Sequence, residues 1–141
     1  MDHAKVMNSC DAKARRIGLA HLSATERVVV LVAIANFDVE LGGLSSFFYN
    51  SAGDHAAETV TALETVGATR AAAALRAAIA KFPGGAAPAN RVQRYPGWQL
   101  VSGLLGPLDR EFGRDEPDVF CRLCEFIEVR AAELGEHGAG A

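Results

Sequence analysis

The residues with the most obvious chemistry are Cys121 and Cys124, whose C-x-x-C spacing could supply half of a tetrahedral zinc site or a dithiol that cycles with a disulfide. A zinc site needs four ligands. Cys10, His3, His21, His55 and His137 are the remaining candidates, and none repeats the spacing. A thioredoxin-like dithiol requires a preceding strand, whereas this pair falls within a helical pattern. On that helix Cys124 lies at the edge of an apolar stripe of Phe120, Leu123, Ile127, Ala131 and Leu134, with Cys121 nearer solvent. The pair reads as structural thiols, with a thiol or metal protein as the alternative.

The four histidines fall in no HExxH or nucleophile-elbow context. Asp38 and Glu40 flank a glycine pair at the end of an apolar helix, an awkward place for carboxylates because of the helix dipole. No glycine-rich phosphate loop follows a strand, and Arg91 and Arg94 are isolated rather than part of a basic stripe, which argues against direct binding of nucleic acid. The clearest patterned surface is acidic. Asp118, Glu125, Glu128 and Glu133 line the side of the last helix opposite its apolar stripe, interrupted by Arg122. It reads either as a solvated face or as a docking surface for a basic partner.

These residues must be positioned by helices. Ser23 and Glu26 form a capping box, so a helix is expected over 24–40 despite the β-branched run Val28–Val32, because the apolar stretch is too long for a strand. Gly42 and Gly43 end it. Leu44–Tyr49 is too short to be stable alone and must be held by its rings, with Leu44, Phe47 and Phe48 packing inward. Asn50 suits a left-handed exit, Gly53 a second break, and Asp54 a cap for the next helix. Further helices are expected over 55–66 and 70–82. Residues 83–97 form the one long loop, a helix resumes at Trp98–Leu105, and Pro107 starts another over 108–112. The last helix covers 117–134, with Asp115 and Glu116 at the positive end of its dipole, and GEHGAGA looks frayed.

The totals suit this picture. A chain of 141 residues can bury one core without disulfides or metal. An apolar fraction of 50% with 22% charged residues is that of an ordinary folded domain. No uninterrupted apolar run reaches the ~20 residues of a membrane span, and charges break up any secretory leader. With three cysteines, the expected setting is the cytoplasm. Charge is uneven: residues 115–141 hold seven acids against two arginines, while the whole chain carries −3.

The run Glu40-Leu41-Gly42-Gly43-Leu44-Ser45-Ser46-Phe47-Phe48-Tyr49-Asn50-Ser51-Ala52-Gly53-Asp54 resembles the signature of the bacterial DNA-mimic protein family, formerly a domain of unknown function. There a Glu-Val-x-Asn-Gly-Gly-Phe segment precedes an aromatic pair and an Asn-Ser-x-Gly corner. The similarity extends to the Ser23 capping box, Ala62-Leu63, Val66-Gly67-Ala68, Phe82-Pro83 and Leu108–Phe112, covering roughly residues 22–132. This chain has Leu41, Leu44 and Ser46 where the family favours Asn, Phe and Gln. The resemblance implies an all-α domain without catalytic residues. For the best understood member it implies an acidic dimer that occupies the DNA-binding surface of a helix-turn-helix repressor.

Charge density sets a condition on such mimicry. Duplex DNA carries one charge per ~1.7 Å, so the roughly 27 Å spanned by residues 118–136 would correspond to about 16 charges. This segment offers five acids and two arginines. Merging two acidic faces in a homodimer would narrow that gap.

The sequence thus predicts an all-α, single compact bundle of about six helices over 23–134, with an N-terminal extension over 1–22 and a flexible tail over 135–141. It predicts a non-enzymatic interaction domain without cofactor or metal, binding a protein partner such as a helix-turn-helix regulator through Asp118, Glu125, Glu128 and Glu133, and no membrane. Gly42, Gly43, Phe47, Phe48, Asn50 and Gly53 are expected to be structural. A small-ligand site near Phe47, Tyr49 and Trp98 is the remaining alternative.

Overall fold

The computed structural model describes residues 1–138. Among them are eight α-helices and no strand: α1 (His3–Ile17), α2 (Ala24–Tyr49), α3 (Ala56–Thr65), α4 (Thr69–Ala80), α5 (Arg91–Val101), α6 (Gly106–Phe112), α7 (Val119–Val129) and α8 (Gly135–Gly138). The fold is all-α, as the sequence predicts, with eight helices among the described residues rather than about six, α1 and α8 lying outside the expected bundle.

Helix α2 starts at the capping box. Ser23 Oγ accepts from the Glu26 amide at 3.1 Å, and Glu26 Oε1 accepts from the Ser23 amide at 2.8 Å. The β-branched run is helical because its side chains are enclosed, with Val29, Val30, Leu31 and Val32 all buried. Tertiary packing here overrides a propensity worth only tenths of a kcal/mol per residue. By length and composition α2 could cross a membrane, and in this fold it is the core helix, packed by α1, α3, α5, α6 and α7.

The glycine pair kinks α2 into two limbs. Gly43 adopts φ 75° and ψ −174°, a conformation essentially reserved for glycine. The second limb, residues 44–49, is capped from a distance: the Leu44 amide donates to Asp109 Oδ1 of α6 at 2.8 Å. Phe47 and Phe48 are buried, meeting edge to face at 5.2 Å, and Phe48 also meets Phe82 at 4.9 Å. Burial of the two rings contributes several kcal/mol at ~25 cal/mol per Å². Tyr49, the third ring, is exposed.

Beyond the kink the structure departs from expectation in several places. Asn50 is extended (φ −86°, ψ 170°) rather than left-handed, because the chain leaves α2 through a 3-10 turn, Ser51–His55. Asp54 does not cap α3, since its carboxylate is bound to Arg94 at 2.8 Å. The loop after α4 ends earlier than expected. Asn90 Oδ1 accepts from the Val92 and Gln93 amides at 2.9 and 3.1 Å and starts α5 at Arg91, seven residues before Trp98. Pro96 lies inside this helix.

Asp115 caps α4 rather than the last helix, accepting from the Arg70 and Ala71 amides at 3.1 and 2.8 Å. Helix α7 is capped by Asp118 Oδ1, which accepts from the Cys121 amide at 2.8 Å. It ends at Val129, short of the expected 134. Its buried seam is Val119, Leu123 and Ile127, and Phe120 points out. The N-terminal segment folds as α1 and inserts Val6, Met7 and Cys10 into the same core. Residues 135–138, expected to fray, form α8 and bury His137. The rest of the expected tail, 139–141, lies outside the described residues.

Candidate functional site

The acidic surface predicted for the last helix survives in part. Asp118, Glu125 and Glu128 lie seven and three residues apart on and just before α7, which places all three within about 80° of one another around the helix. All three are exposed, and Glu116 precedes them on the surface. Arg122 only partly neutralises this face. Its Nη2 donates to the Glu116 carbonyl at 3.2 Å, and its Nη1 lies 3.9 Å from Glu125 Oε2. Glu128 Oε1 lies 2.9 Å from His3 Nε2. Glu133 lies past the end of α7, where it accepts from Thr25 and from Arg130, at 3.1 Å for the latter. These bonds, the Thr25 hydroxyl first, lower its carboxyl below the usual range.

Several acids elsewhere are paired. Glu58 meets Arg27, Glu64 meets Arg76 at 3.0 Å, and Glu111 meets both Arg70 and Arg114 at 3.1 and 2.7 Å. Exposed Asp2 and Glu40 accept from the Lys5 amide and the Asn36 side chain. The segment from Glu116 to Glu128 sets four exposed acids close together against one arginine.

The signature residues converge on one buried side chain that the sequence reading set aside as isolated. Arg94 is 1% exposed. Its guanidinium donates to the carbonyls of Phe48, Asn50 and Pro88 at 2.7, 2.9 and 2.8 Å, and to the Asp54 carboxylate. Gly53 is required by this approach, for a Cβ there would lie 2.9 Å from the guanidinium. The corner is thus a carbonyl cage closed by one cation, each nitrogen of which donates inside the protein. These bonds fix the shape of the corner.

Cys121 and Cys124 share one side of α7, the former exposed and the latter half-buried. A hydrogen bond with Asp118 raises the Cys121 thiol, and burial raises Cys124, so both favour the unreactive thiol form. Among the described residues the cysteine pair gathers no third metal ligand. Among the described residues one trio has ligand geometry, Glu26, Glu136 and His137, whose donor atoms lie within 4.8 Å of one another. Lys13 already occupies it, donating to Glu26 Oε2 and Glu136 Oε1 at 2.9 Å each. His137 completes the cluster, with Nε2 2.5 Å from Glu26 Oε2 and Nδ1 2.8 Å from Ser9 Oγ. The ammonium supplies the charge a metal would bring, so the arrangement is a buried ion network that ties both chain ends to the start of α2.

The rings proposed for a small-ligand site divide. Phe47 is in the core, while Tyr49 and Trp98 meet on the surface at 5.0 Å. A groove of about 390 Å³ lies instead between α1, α2 and α3, floored by Leu31 and Ile34. Its acids are neutralised, Asp11 by Arg15 at 2.9 Å and Asp54 by Arg94. Ser51, His55 and Thr59 also line it, and the Thr59 hydroxyl donates to the His55 carbonyl at 2.8 Å.

Helix boundaries aside, three site-building residues escaped the sequence reading: Arg94, Asp109 and His137. Each acts on a partner more than 40 residues away. A lone arginine two residues before a proline, or an aspartate in a short helix, carries no local signal of that kind.

A search of curated proteins and one of solved structures each returned no match. A family model, that of the DMP19-like proteins, matches residues 20–130, which takes in the capping box, the kinked corner, Arg94 and all of α7. With most of its length matched, the chain belongs to the DMP19-like protein family.

Proposed function

We propose that this chain is a non-enzymatic interaction domain that engages a basic protein surface through the acidic side of α7, the partner being a DNA-binding regulator of the helix-turn-helix class. One observation carries the reading: Asp118, Glu125 and Glu128 share an exposed face on which Arg122 is the only basic side chain of the helix's first two turns. Membership of a DNA-mimic-like family supports the class of partner. The saturated corner and the protonated thiols give catalysis no foothold, which supports a role in binding. At four acids over about 18 Å of helix, counting Glu116, the face is sparser than duplex DNA, so the interaction is read as electrostatic steering plus local contact.

The test is capture of DNA-binding proteins from native lysate by the wild type and by an Asp118→Asn, Glu125→Gln, Glu128→Gln variant. Asparagine keeps the α7 cap, so the variant folds and differs in charge alone. A captured regulator should be lost in the variant and in high salt. A regulator held equally by both proteins would overturn the reading.

A further inference from the structure

The groove between α1, α2 and α3 has unlike ends. At one of them Arg27, a turn before the lining residue Val30, donates to the Leu19 carbonyl at 2.9 Å and to Glu58 of α3, so its charge is already used. Asp38 stands at the other. It follows Ile34 by one turn on α2, and beside it is the side chain of Asn50, the neighbour of Ser51, while Ile34 and Ser51 both line the groove. Asp38 is 8% exposed, and its Oδ2 has no hydrogen-bond partner. Leaving a buried carboxylate oxygen bare is costly, and folds keep few such groups. The two acids in the groove wall are each paired with an arginine, so the charge left over at the groove is that of Asp38.

Between the ends, Val30, Leu31 and Ile34 of α2, with Ala14 and Leu19, supply an apolar floor. Arg27 and Asp38 are ~16 Å apart along the helix, and the volume of about 390 Å³ is that of a small-molecule site. We infer that the groove binds a small organic cation, an ammonium head on an apolar body, with the head received by Asp38 and the body laid over Val30, Leu31 and Ile34. Rotation of the Asn50 side chain gives the head access to Oδ2. The resulting bond is charge-assisted, and the apolar body shields it from water. A neutral ligand would leave the carboxylate bare, and an anionic one would be repelled by it. Asp38 then weakens the free fold because binding, not folding, needs its charge.

Octylammonium, octanol and octanoate, titrated separately into the full chain and followed by amide NMR shifts, test this. Octylammonium should bind saturably at about 1 mM or tighter, move the amides of Ile34 and Ser51, and bind at least ~10-fold better than octanol. Octanoate should bind least. Asp38→Asn should weaken octylammonium by roughly 10–100-fold and leave octanol unchanged, while raising the temperature of unfolding at pH 7. A loss of binding joined to a gain in stability does not come from misfolding. Ala14→Phe, which fills the groove from α1, should abolish binding of both. Equal binding of octanol and octylammonium, undiminished binding by the Asp38→Asn variant, no binding at all, or a groove that takes only a basic peptide helix would overturn the inference. The Asp118→Asn, Glu125→Gln, Glu128→Gln variant should bind octylammonium as the wild type does, so this inference and the proposed function fail separately.

Discussion

Arg94 and Glu26 are both buried charges that gather a corner of the fold, yet they solve the problem of burial differently. Arg94 spends its donors on three backbone carbonyls and one carboxylate, all held by the chain's own turns. Glu26 relies on titratable neighbours, Lys13 and His137, together with the Ser23 amide. The first arrangement lies wholly inside the family-matched residues, and the second joins α1 and α8, which lie outside them. Guanidinium and carbonyls do not change charge across the accessible pH range, so three of the four contacts of Arg94 are indifferent to pH, and the Asp54 carboxylate is the exception. The terminal network depends on its protonation state.

The largest expected effect follows from breaking the constant side of this contrast. Arg94→Ala leaves the Phe48 and Pro88 carbonyls without this donor, the Asn50 carbonyl with the Gly53 amide alone and Asp54 without its counterion, and should destabilise the protein by roughly 3–5 kcal/mol in urea unfolding. Arg94→Lys should recover little, because an ammonium cannot reach carbonyls spread in a plane as the guanidinium fork does. The loss should be the same at mildly acidic and neutral pH. A pH-dependent loss would show that the corner leans chiefly on its titrating contact, the Asp54 carboxylate.

Gly43 comes next. A side chain there would be strained by the positive φ and would place its Cβ 2.6 Å from Asp109 Oδ2. Gly43→Ala should cost roughly 2–4 kcal/mol. Asp109→Ala, which uncaps Leu44, should cost about 1–2 kcal/mol. The double variant separates strain from collision: with the carboxylate gone, Gly43→Ala should cost less than in the wild type. Strict additivity would mean that the backbone conformation alone excludes the methyl group.

How much of this could be read from the sequence depends on the range of each interaction. Ser23 and Glu26 act three residues apart, and Gly42–Gly43 act on their own backbone, so the start and the kink of α2 were legible. Phe47 and Phe48 were placed correctly because a piece as short as 44–49 can persist only by packing. Asp109, Asp115 and Arg94 serve amides or carbonyls brought close only by the finished fold. Asn90 was hidden differently, by prolines and glycines that mark a loop but do not say where it ends. On α7, Val119 and Phe120 are adjacent and both apolar, and only contact with the bundle shows that Val119 is the one inside. The acidic face was legible as charge, while its pairing with His3 and Arg130 was not.

The titrating side of the contrast predicts an acid transition. Burial alone would raise the Glu26 carboxyl, but hydrogen bonds from Lys13, the Ser23 amide and His137 outweigh it and hold the group at about 2, against 4.5 for a free glutamate. Between those values the unfolded chain binds more protons than the folded one. The stabilisation is therefore complete above pH 4.5 and is lost as pH falls toward 2, on the order of 2–3 kcal/mol. Urea unfolding at pH 6 and pH 3 should show the loss, and Glu26→Gln should flatten it. If the slope persists in that variant, other carboxylates carry the acid sensitivity.

The smallest effect sharpens the comparison at the corner itself. Asp38, one turn before the kink, is buried, and its Oδ2 has no hydrogen-bond partner. Burial pushes its carboxyl up, with the Asn50 side chain opposing. Here the folded chain is the better proton binder, so stability falls as pH rises from the free aspartate value through the raised one, and the cost is greatest at neutral pH. Asp38→Asn removes the charge while keeping the shape, and should stabilise the protein by about 1 kcal/mol at pH 7 and by nothing measurable at pH 3. The two temperatures of unfolding check it. A neutral or destabilising result at pH 7 would mean that the Asp38 carboxylate is partnered in solution, making the end of α2 as fully satisfied as the cage around Arg94.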